Sequence, residues 1–328
     1  MHCLTENWRS GDSHLVKTVL VHLLVAVGLA LPSNGQANAA QKSREVASPA
    51  NLGQPLEVED AFPAVRRFPP EIQAKTECLN PEYLVFLPAA DTDSRLPLVI
   101  FLHGAGGVGD DIKQGRVINK PTEIWQGIQK FNKGSAIVAA PQCLQQGRKG
   151  ERGIWTPEDL NLFLEHLKAT MPVDERRVYL TGISMGGYGT WAWAAHDPQH
   201  FAAIAPIVGG IGREGAKAVT PDFDQWARSL AKLPVYAFVG ALDKTVPPER
   251  SERMIAAIQK AGGREAKLKV YPEEGHGAAR KVVIDPEFYE WLFSHQRDAT
   301  LTKLALPRCD SGPQSEIEVN IAGTKNQI

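Results

Sequence analysis

Residues 177–187, which read RVYLTGISMGG, decide the fold of this chain. Residues 177–182 are mostly apolar and predict a strand, and residues 185–196 directly after them predict a helix. Between the two lies Gly182-Ile183-Ser184-Met185-Gly186, a G-x-S-x-G motif. A strand, this motif and a helix in succession are typical of a nucleophile elbow, a tight turn that exposes a serine hydroxyl. The stretch therefore predicts Ser184 as a nucleophile near the positive end of a helix.

The alternative is a glycine-rich connection in which Ser184 only caps the helix. The spacing of the glycines favours the elbow, because side chains at positions 182 and 186 would collide with neighbouring backbone in so tight a turn.

Working outward from the elbow, apolar strands alternate with helices along the chain. This pattern indicates an α/β fold with a mostly parallel central sheet and helices on both faces. In such folds ligands bind at the carboxyl ends of the strands. The predicted strands are residues 83–87, 96–103, 135–140, 177–182, 201–208, 234–239 and 266–271, and the predicted helices are residues 157–171, 185–196, 249–261 and 286–295.

A serine nucleophile needs a base and an acid that orients the base, and two strand ends supply them. His276 follows the last predicted strand, and Asp243 follows the strand before it. The chain order serine, aspartate, histidine is the order expected of α/β-hydrolases. Asp222 and Asp224 compete for the acid role but precede their strand instead of following it. Asp243 could otherwise be a turn residue, and His276 a loop histidine without a role.

The segment FLHGAGG at residues 101–107 ends an early strand with glycines that allow backbone N–H groups to face a ligand. We expect the N–H groups of Ala105 and Met185 to form an oxyanion hole. His103 is then a brace for this loop and not a base. The segment lacks a clean G-x-G-x-x-G register before a helix, so we discount dinucleotide binding.

Two further side chains fall in predicted loops on the carboxyl side of the sheet. Gln142 and Trp155 could line the substrate site, although packing is an equally good interpretation of the tryptophan. Trp191 and Trp193 lie within the helix after Ser184, where we expect them to pack in the core.

Residues 17–40 predict export of the protein. An apolar run at residues 18–31 follows Lys17 and precedes an A-x-A site, as in a secretory signal peptide cleaved after Ala39. We therefore divide the chain into a signal peptide (1–39), a linker or surface strap (40–76), a catalytic domain (77–296) and a polar tail (297–328). The alternatives for residues 18–31 are an uncleaved anchor or a buried helix. Cleavage would leave the protein secreted or periplasmic, without a stable membrane span.

Composition excludes several other classes of protein. The chain has 328 residues, of which 43% are hydrophobic and 22% charged, values too apolar for a disordered protein. Lys and Arg number 36 against 37 Asp and Glu, without the basic excess of a nucleic-acid binder. Cys78, Cys143 and Cys309 remain after cleavage, so at most one intramolecular disulfide can form, and the sequence does not say which two would pair. Their spacing matches no zinc site, and we expect no metal or organic cofactor.

Taken together, these motifs resemble the α/β-hydrolases. Within them they resemble the secreted esterases described as predicted peptidases or as feruloyl/acetyl-xylan esterase-like, near the dienelactone hydrolases. The similarity covers residues 83–295. It is carried by PLVIFLHGAGGVGDD (97–111), APQC (140–143), WTPEDL (155–160), VDERRVYLTGISMGGYGTWAWAAHDPQHFAAIAPIVGG (173–210), GALDKTVPP (240–248) and EEGHG (273–277).

The resemblance implies Ser184, Asp243 and His276 as a catalytic triad and carboxylic esters as substrates, including acyl groups on plant polysaccharides. Relatives often carry charged residues where this chain has Gly107-Val108-Gly109, which puts the lip of the acyl site in doubt. The alternatives are a serine peptidase with the same triad and a non-catalytic, carbohydrate-binding scaffold. The oligomeric state stays open.

Overall fold

The structure is a computed structural model that describes residues 63–88, 94–113, 115–132, 135–150, 153–212 and 222–298. The chain divides into two units, residues 1–51 and 52–328, and every described residue lies in the second. The predicted signal peptide, Cys309 and the tail from residue 299 lie outside the described residues. In the parts that are described, no helix is long and apolar enough to span a bilayer.

An eight-stranded sheet forms the centre of the fold, with the strands in the order β1-β2-β4-β3-β5-β6-β7-β8. The strands from β4 to β8 in this order run parallel, and β1 and β2 add antiparallel pairs at one edge. The predicted mostly parallel sheet is confirmed. The strands are β1 (Ala64–Arg67), β2 (Leu79–Phe86), β3 (Leu96–Leu102), β4 (Ile137–Cys143), β5 (Val173–Ile183), β6 (Ala203–Ile207), β7 (Val235–Gly240) and β8 (Ala266–Tyr271).

Helices cover both faces of this sheet, as predicted. The helices are α1 (Pro70–Gln73), α2 (Gly115–Gly127), α3 (Pro157–Thr170), α4 (Met185–His196), α5 (Phe223–Leu230), α6 (Glu249–Lys260), α7 (Ala279–Val282) and α8 (Pro286–Phe293). Side chains of β3 alternate between two cores because successive residues of a strand point to opposite faces. Leu98 and Ile100 join the core that contains Trp191 and Trp193 of α4. Val99 joins the core on the other face. The predicted core position of the two tryptophans is confirmed.

The folded region begins before the predicted domain boundary at residue 77. β1 pairs with β2 in antiparallel register, and Phe68 after it is buried against Tyr83, with ring centroids 5.1 Å apart. The last part of the predicted strap is therefore an edge strand and one helical turn. The sequence of β1, AVRR, is half polar because this strand has a partner strand on one side only.

Four of the described helices were not predicted, the single-turn helices α1 and α7 and the two longer helices α2 and α5. α2 contains Pro121, which normally disfavours a helix interior, and α5 follows residues 213–221, which have no apolar periodicity. Neither changes the topology. The carboxyl ends of β3, β5, β7 and β8 lie along one edge of the sheet, and the loops that leave these ends carry the predicted site residues.

Cys78 and Cys143 are both reduced and buried in this structure. They lie on adjacent chain segments, since Leu79 pairs with Cys143 and the Leu144 N–H donates to the Cys78 carbonyl at 2.8 Å. Burial raises the pKa of the Cys143 thiol well above its ordinary value, and nearby Cys78 and Asp159 add to the effect. Cys143 is therefore a buried, protonated thiol at neutral pH.

Candidate active site

Ser184 occupies a strained turn between β5, which ends at Ile183, and α4, which begins at Met185. Its backbone has φ 56° and ψ −114°, outside the regions that non-glycine residues normally adopt. A Cβ atom on Gly186 would overlap the Leu102 carbonyl, and one on Gly182 would lie 2.5 Å from the Gly186 oxygen. The predicted steric need for both glycines is confirmed. The turn is a nucleophile elbow in its geometry.

A continuous chain of hydrogen bonds joins Ser184 to His276 and Asp243. The His276 Nε2 atom lies 2.9 Å from the Ser184 hydroxyl, and Nδ1 lies 2.7 Å from Asp243 Oδ2. Because an ionised carboxylate only accepts hydrogen bonds, Nδ1 carries the proton in the neutral ring and Nε2 is free to accept one from the serine. The structure thus brings together the three residues that the chain order singled out.

Asp243 is more deeply buried than His276 and has additional hydrogen-bond partners. The Asp243 side chain is 1% exposed, and its Oδ1 atom accepts from the backbone N–H groups of Thr245 at 2.8 Å and Val246 at 2.9 Å. The His276 side chain is 32% exposed. The rival acids Asp222 and Asp224 lie exposed at the start of α5. Asp243 is the carboxylate that bonds to His276.

The loop after β3 approaches the nucleophile closely. A Cβ atom on Gly104 would lie 3.2 Å from the Ile183 carbonyl and 3.5 Å from Ser184 Cβ. The predicted donor Ala105 follows Gly104 and begins a short 3₁₀ turn, Ala105–Gly107. Met185 is the first residue of α4, so its N–H has no acceptor within the helix. Met185 is thus bonded directly to Ser184, and Ala105 follows a residue that packs against it. Backbone N–H groups in such positions can stabilise an oxyanion.

His103 braces this loop and is not part of the proton relay. Its Nδ1 atom lies 2.7 Å from the Gly104 carbonyl and donates to it, so Nε2 accepts the Cys143 N–H at 3.0 Å. The Trp155 indole N–H donates to the His103 carbonyl at 3.2 Å. Burial lowers the pKa of His103 to about 4, against the opposing effect of the bond to Gly104. The imidazole is therefore neutral at physiological pH, and its expected role as a brace is confirmed.

The lowered pKa of His103 predicts acid sensitivity. An unfolded histidine gains its proton near pH 6.5, whereas the folded one gains it only near pH 4. His103 therefore makes its full contribution to the free energy of unfolding above pH 6.5, and this contribution is lost as the pH falls towards 4. A shift of this size corresponds to about 3 kcal/mol of unfolding free energy. Denaturant unfolding at several pH values should show a steeper decline for wild type than for His103→Gln. Equal slopes would contradict the prediction.

Gln142 and Trp155, the predicted substrate contacts, are both buried in this structure, as the packing interpretation of Trp155 requires. Gln142 is 1% exposed, and its amide is fully used within the fold. Its oxygen accepts from Asn80 at 2.7 Å, and its nitrogen donates to the carbonyls of Gly107 at 3.1 Å and Asp111 at 3.2 Å. Trp155 is 6% exposed and packs on Gly189 and His103. Both lie in the predicted region, but they face the inside of the loop network, which sequence position alone does not reveal.

Gln142 ties the loop at residues 105–111 to β4, so its substitution should affect catalysis through that loop. Gln142→Glu places an oxygen against the two carbonyls that now accept from the amide. Because a shift of the loop misplaces the Ala105 N–H, we expect kcat on a short ester to fall about tenfold to a hundredfold with little change in KM. Gln259→Glu is the matched control, since Gln259 donates to Ala266 at 2.9 Å away from the site. An unchanged kcat in a folded Gln142→Glu protein would refute the prediction.

Sequence reasoning missed Tyr188 and Arg250. Arg250, in the first turn of α6, is 4% exposed and donates from Nη1 to the Tyr188 hydroxyl at 2.5 Å. Tyr188 lies one helical turn after Ser184. Its place next to the motif is a signal that could have drawn attention to it, whereas nothing in the sequence pairs it with a residue 62 positions away. No group of three or more His, Cys, Asp or Glu side chains in the described ranges could hold a metal ion.

Comparison with known proteins agrees with this geometry. Residues 140–294, which include Ser184, Asp243 and His276, match the model of the Dienelactone hydrolase family. This region, a little under half of the chain, is therefore similar to the dienelactone hydrolase family. The expected α/β-hydrolase fold is likewise confirmed. The matched region starts within β4, so the loop that carries Ala105 precedes it.

Curated proteins similar to this chain include one named as an esterase. "Probable feruloyl esterase C" of Aspergillus terreus is 30% identical over 131 residues, covering 40% of this chain and 47% of the relative. A relative from Escherichia coli O157:H7 with the name of a carboxymethylenebutenolidase is 34% identical over 103 residues, covering 31% and 37%. The chain thus spans less than half the length of these curated relatives. A crystal structure of a thermostable esterase is 27% identical with a TM-score of 0.52, covering 66% of this chain and 59% of that one.

Proposed function

We propose that the protein is a serine hydrolase of carboxylic esters, with Ser184 as nucleophile, His276 as general base and acid, and Asp243 as the orienting carboxylate. One observation carries the proposal, namely the hydrogen-bond chain from the Ser184 hydroxyl through His276 to Asp243 at a strained elbow. A triad is recognised by this geometry and by the roles that it allows.

Each residue has a defined step in the proposed reaction. The Ser184 oxygen attacks the ester carbonyl while its proton passes to His276 Nε2, and Asp243 stabilises the imidazolium that forms. The N–H groups of Ala105 and Met185 bind the oxyanion of the tetrahedral intermediate. As the intermediate collapses, the imidazolium gives its proton to the leaving alcohol, and an acyl-enzyme remains. Water then attacks the acyl group with His276 again as base, which regenerates Ser184.

Esters are favoured over amides by the names of the relatives, which include a feruloyl esterase and a carboxymethylenebutenolidase. The proposed substrates are carboxylic esters, either of small molecules or of acyl groups on plant polysaccharides. The apolar run at residues 18–31 and the A-x-A site after it support export of the mature enzyme. A serine peptidase with the same triad and a non-catalytic scaffold are the competing functions.

A panel of substrates separates the three functions. Wild-type enzyme is assayed on acetyl, feruloyl, glucuronoyl and short-chain aryl esters, and on a peptide anilide, with Ser184→Ala protein as the background. We expect turnover of at least one ester class and none of the anilide. Anilide cleavage with a kcat/KM comparable to that of the esters would make the protein a peptidase. No turnover of any substrate would support the scaffold.

A further inference from the structure

Tyr188 is the second partly exposed residue of α4. In the first two turns of this helix, Gly186, Gly187, Gly189, Thr190 and Trp191 are buried, whereas Met185 and Tyr188 are not. Residues three apart on a helix share a face, so Tyr188 lies on the same side of α4 as Met185, directly after the nucleophile. The Tyr188 N–H also donates to the Ser184 carbonyl at 3.0 Å.

Arg250 determines which way the hydrogen bond at the Tyr188 hydroxyl runs. The Nη1 atom of Arg250 lies 2.5 Å from the Tyr188 oxygen and also donates to the Gly212 carbonyl. A guanidinium has donors and no acceptor. The Tyr188 oxygen therefore accepts in this bond, and the hydroxyl proton of Tyr188 remains available for a further acceptor.

The surroundings of Arg250 hold this arrangement in place. A Cβ atom on Gly210 would lie 2.7 Å from Arg250 Cβ, so the segment after β6 packs directly on the arginine stem. The neighbouring Ser251 hydroxyl donates to the Gly209 carbonyl at 2.9 Å. The Arg250 Nε atom is buried and has no hydrogen-bond partner among the described residues. An arginine buried at such a cost points to a role beyond filling space.

The Tyr188 hydroxyl is also within electrostatic reach of the proposed triad. Burial raises its pKa, the Asp243 carboxylate raises it further, and Arg250 acts in the opposite direction. The net rise keeps the hydroxyl protonated at neutral pH. A protonated donor, fixed by one partner and placed one turn from the nucleophile, can bind a substrate oxygen.

We propose that Tyr188 is a substrate-binding residue whose hydroxyl donates to an oxygen acceptor on the ester, and that Arg250 is the residue that positions it. The inference rests on the proposed esterase function and refines its substrate class. Esters with an ether, hydroxyl or carboxylate oxygen close to the ester bond are then preferred over plain alkyl esters. That oxygen could belong to the acyl half or to the alcohol half of the substrate.

Two pairs of nearly isosteric esters test the inference, one for each half. p-Nitrophenyl methoxyacetate is compared with p-nitrophenyl butyrate, and methoxyethyl acetate with butyl acetate. The ratio of kcat/KM within each pair is measured for wild type and for Tyr188→Phe. Comparing the two proteins cancels the difference in chemical reactivity between the two esters of a pair. Loss of one neutral hydrogen bond should lower the methoxy-to-alkyl ratio about threefold to tenfold in at least one pair. The kcat/KM should fall more for the methoxy ester than for the alkyl ester of the same pair.

Three further variants make the test more specific. Tyr236→Phe is the matched control, because the Tyr236 hydroxyl, near the start of β7, bonds to Glu287 in the first turn of α8, and it should leave both ratios unchanged. Arg250→Met should lower the same ratio as Tyr188→Phe, and the double variant should lower it no further. Unchanged ratios in both pairs for Tyr188→Phe would overturn the inference, as would an equal fall for both esters of each pair. If Ser184→Ala cleaved these esters as well as wild type, the proposed function would fail instead.

Discussion

Ser184→Ala is expected to lower kcat on a short aryl ester by about 10⁴-fold or more. The alanine keeps the Cβ atom and so the shape of the elbow, but no atom remains to attack the carbonyl or to receive the acyl group. Any residual rate would come from the oxyanion donors and from substrate binding. Steady-state hydrolysis of p-nitrophenyl acetate measures the loss, and thermal unfolding should show the midpoint of wild type.

The companion variants test whether the three residues act as one unit. His276→Ala should lower kcat by a similar factor because Ser184 then lacks the base 2.9 Å away. The double variant Ser184→Ala/His276→Ala should be no slower than either single variant, since each change alone stops the same step. His295→Ala is the matched control, because His295 bonds to Glu265 at the surface. Full activity of Ser184→Ala would refute the proposed mechanism, and multiplicative losses in the double variant would separate the roles of the two residues.

Gly186→Ala is expected to destabilise the fold by about 3 kcal/mol or more, which corresponds to a fall in Tm of about 6–12 °C. The added Cβ atom would overlap the Leu102 carbonyl oxygen and lie 2.5 Å from its carbon. Both are backbone atoms of the central strand β3, so neither can move aside as a flexible side chain would. Relief requires α4 to shift away from β3, which also moves Ser184 away from Gly104. Activity should therefore fall with stability.

Gly262→Ala is the control for the Gly186 substitution. Gly262 has φ +96° and no atom within 4 Å of an added Cβ, so alanine there meets backbone strain without a clash. We expect a cost of about 1–2 kcal/mol and unchanged kcat. Calorimetry of both variants beside wild type makes the comparison. Equal Tm values for Gly186→Ala and wild type would show that the elbow is looser than the structure indicates.

The positions of the proposed triad residues were predictable because each lies just after the carboxyl end of a strand. A strand, a glycine-flanked serine and a helix define the elbow locally, and parallel strands bring their carboxyl ends to one edge. The loops that carry Asp243 and His276 therefore had to lie near Ser184. The core positions of Trp191 and Trp193 followed from their place on a helix that is apolar on all sides.

The supporting contacts were not predictable because they join segments distant in sequence. Gln142 looked like a cleft residue from its strand end, but its amide turns towards Asn80 and Gly107 inside the fold. The Arg250–Tyr188 bond likewise joins α6 to α4, two helices that are distant in sequence. β1 was missed because an edge strand of four residues carries too short a hydrophobic pattern to recognise.

Labelling with a fluorophosphonate tests the central claim most directly. The reagent phosphonylates a serine that an adjacent base has activated, and peptide mapping by mass spectrometry locates the adduct. We predict one adduct, on Ser184, that appears in step with the loss of esterase activity and forms far more slowly in His276→Ala protein. Loss of activity with the adduct on another residue, or full activity with Ser184 completely labelled, would contradict the account.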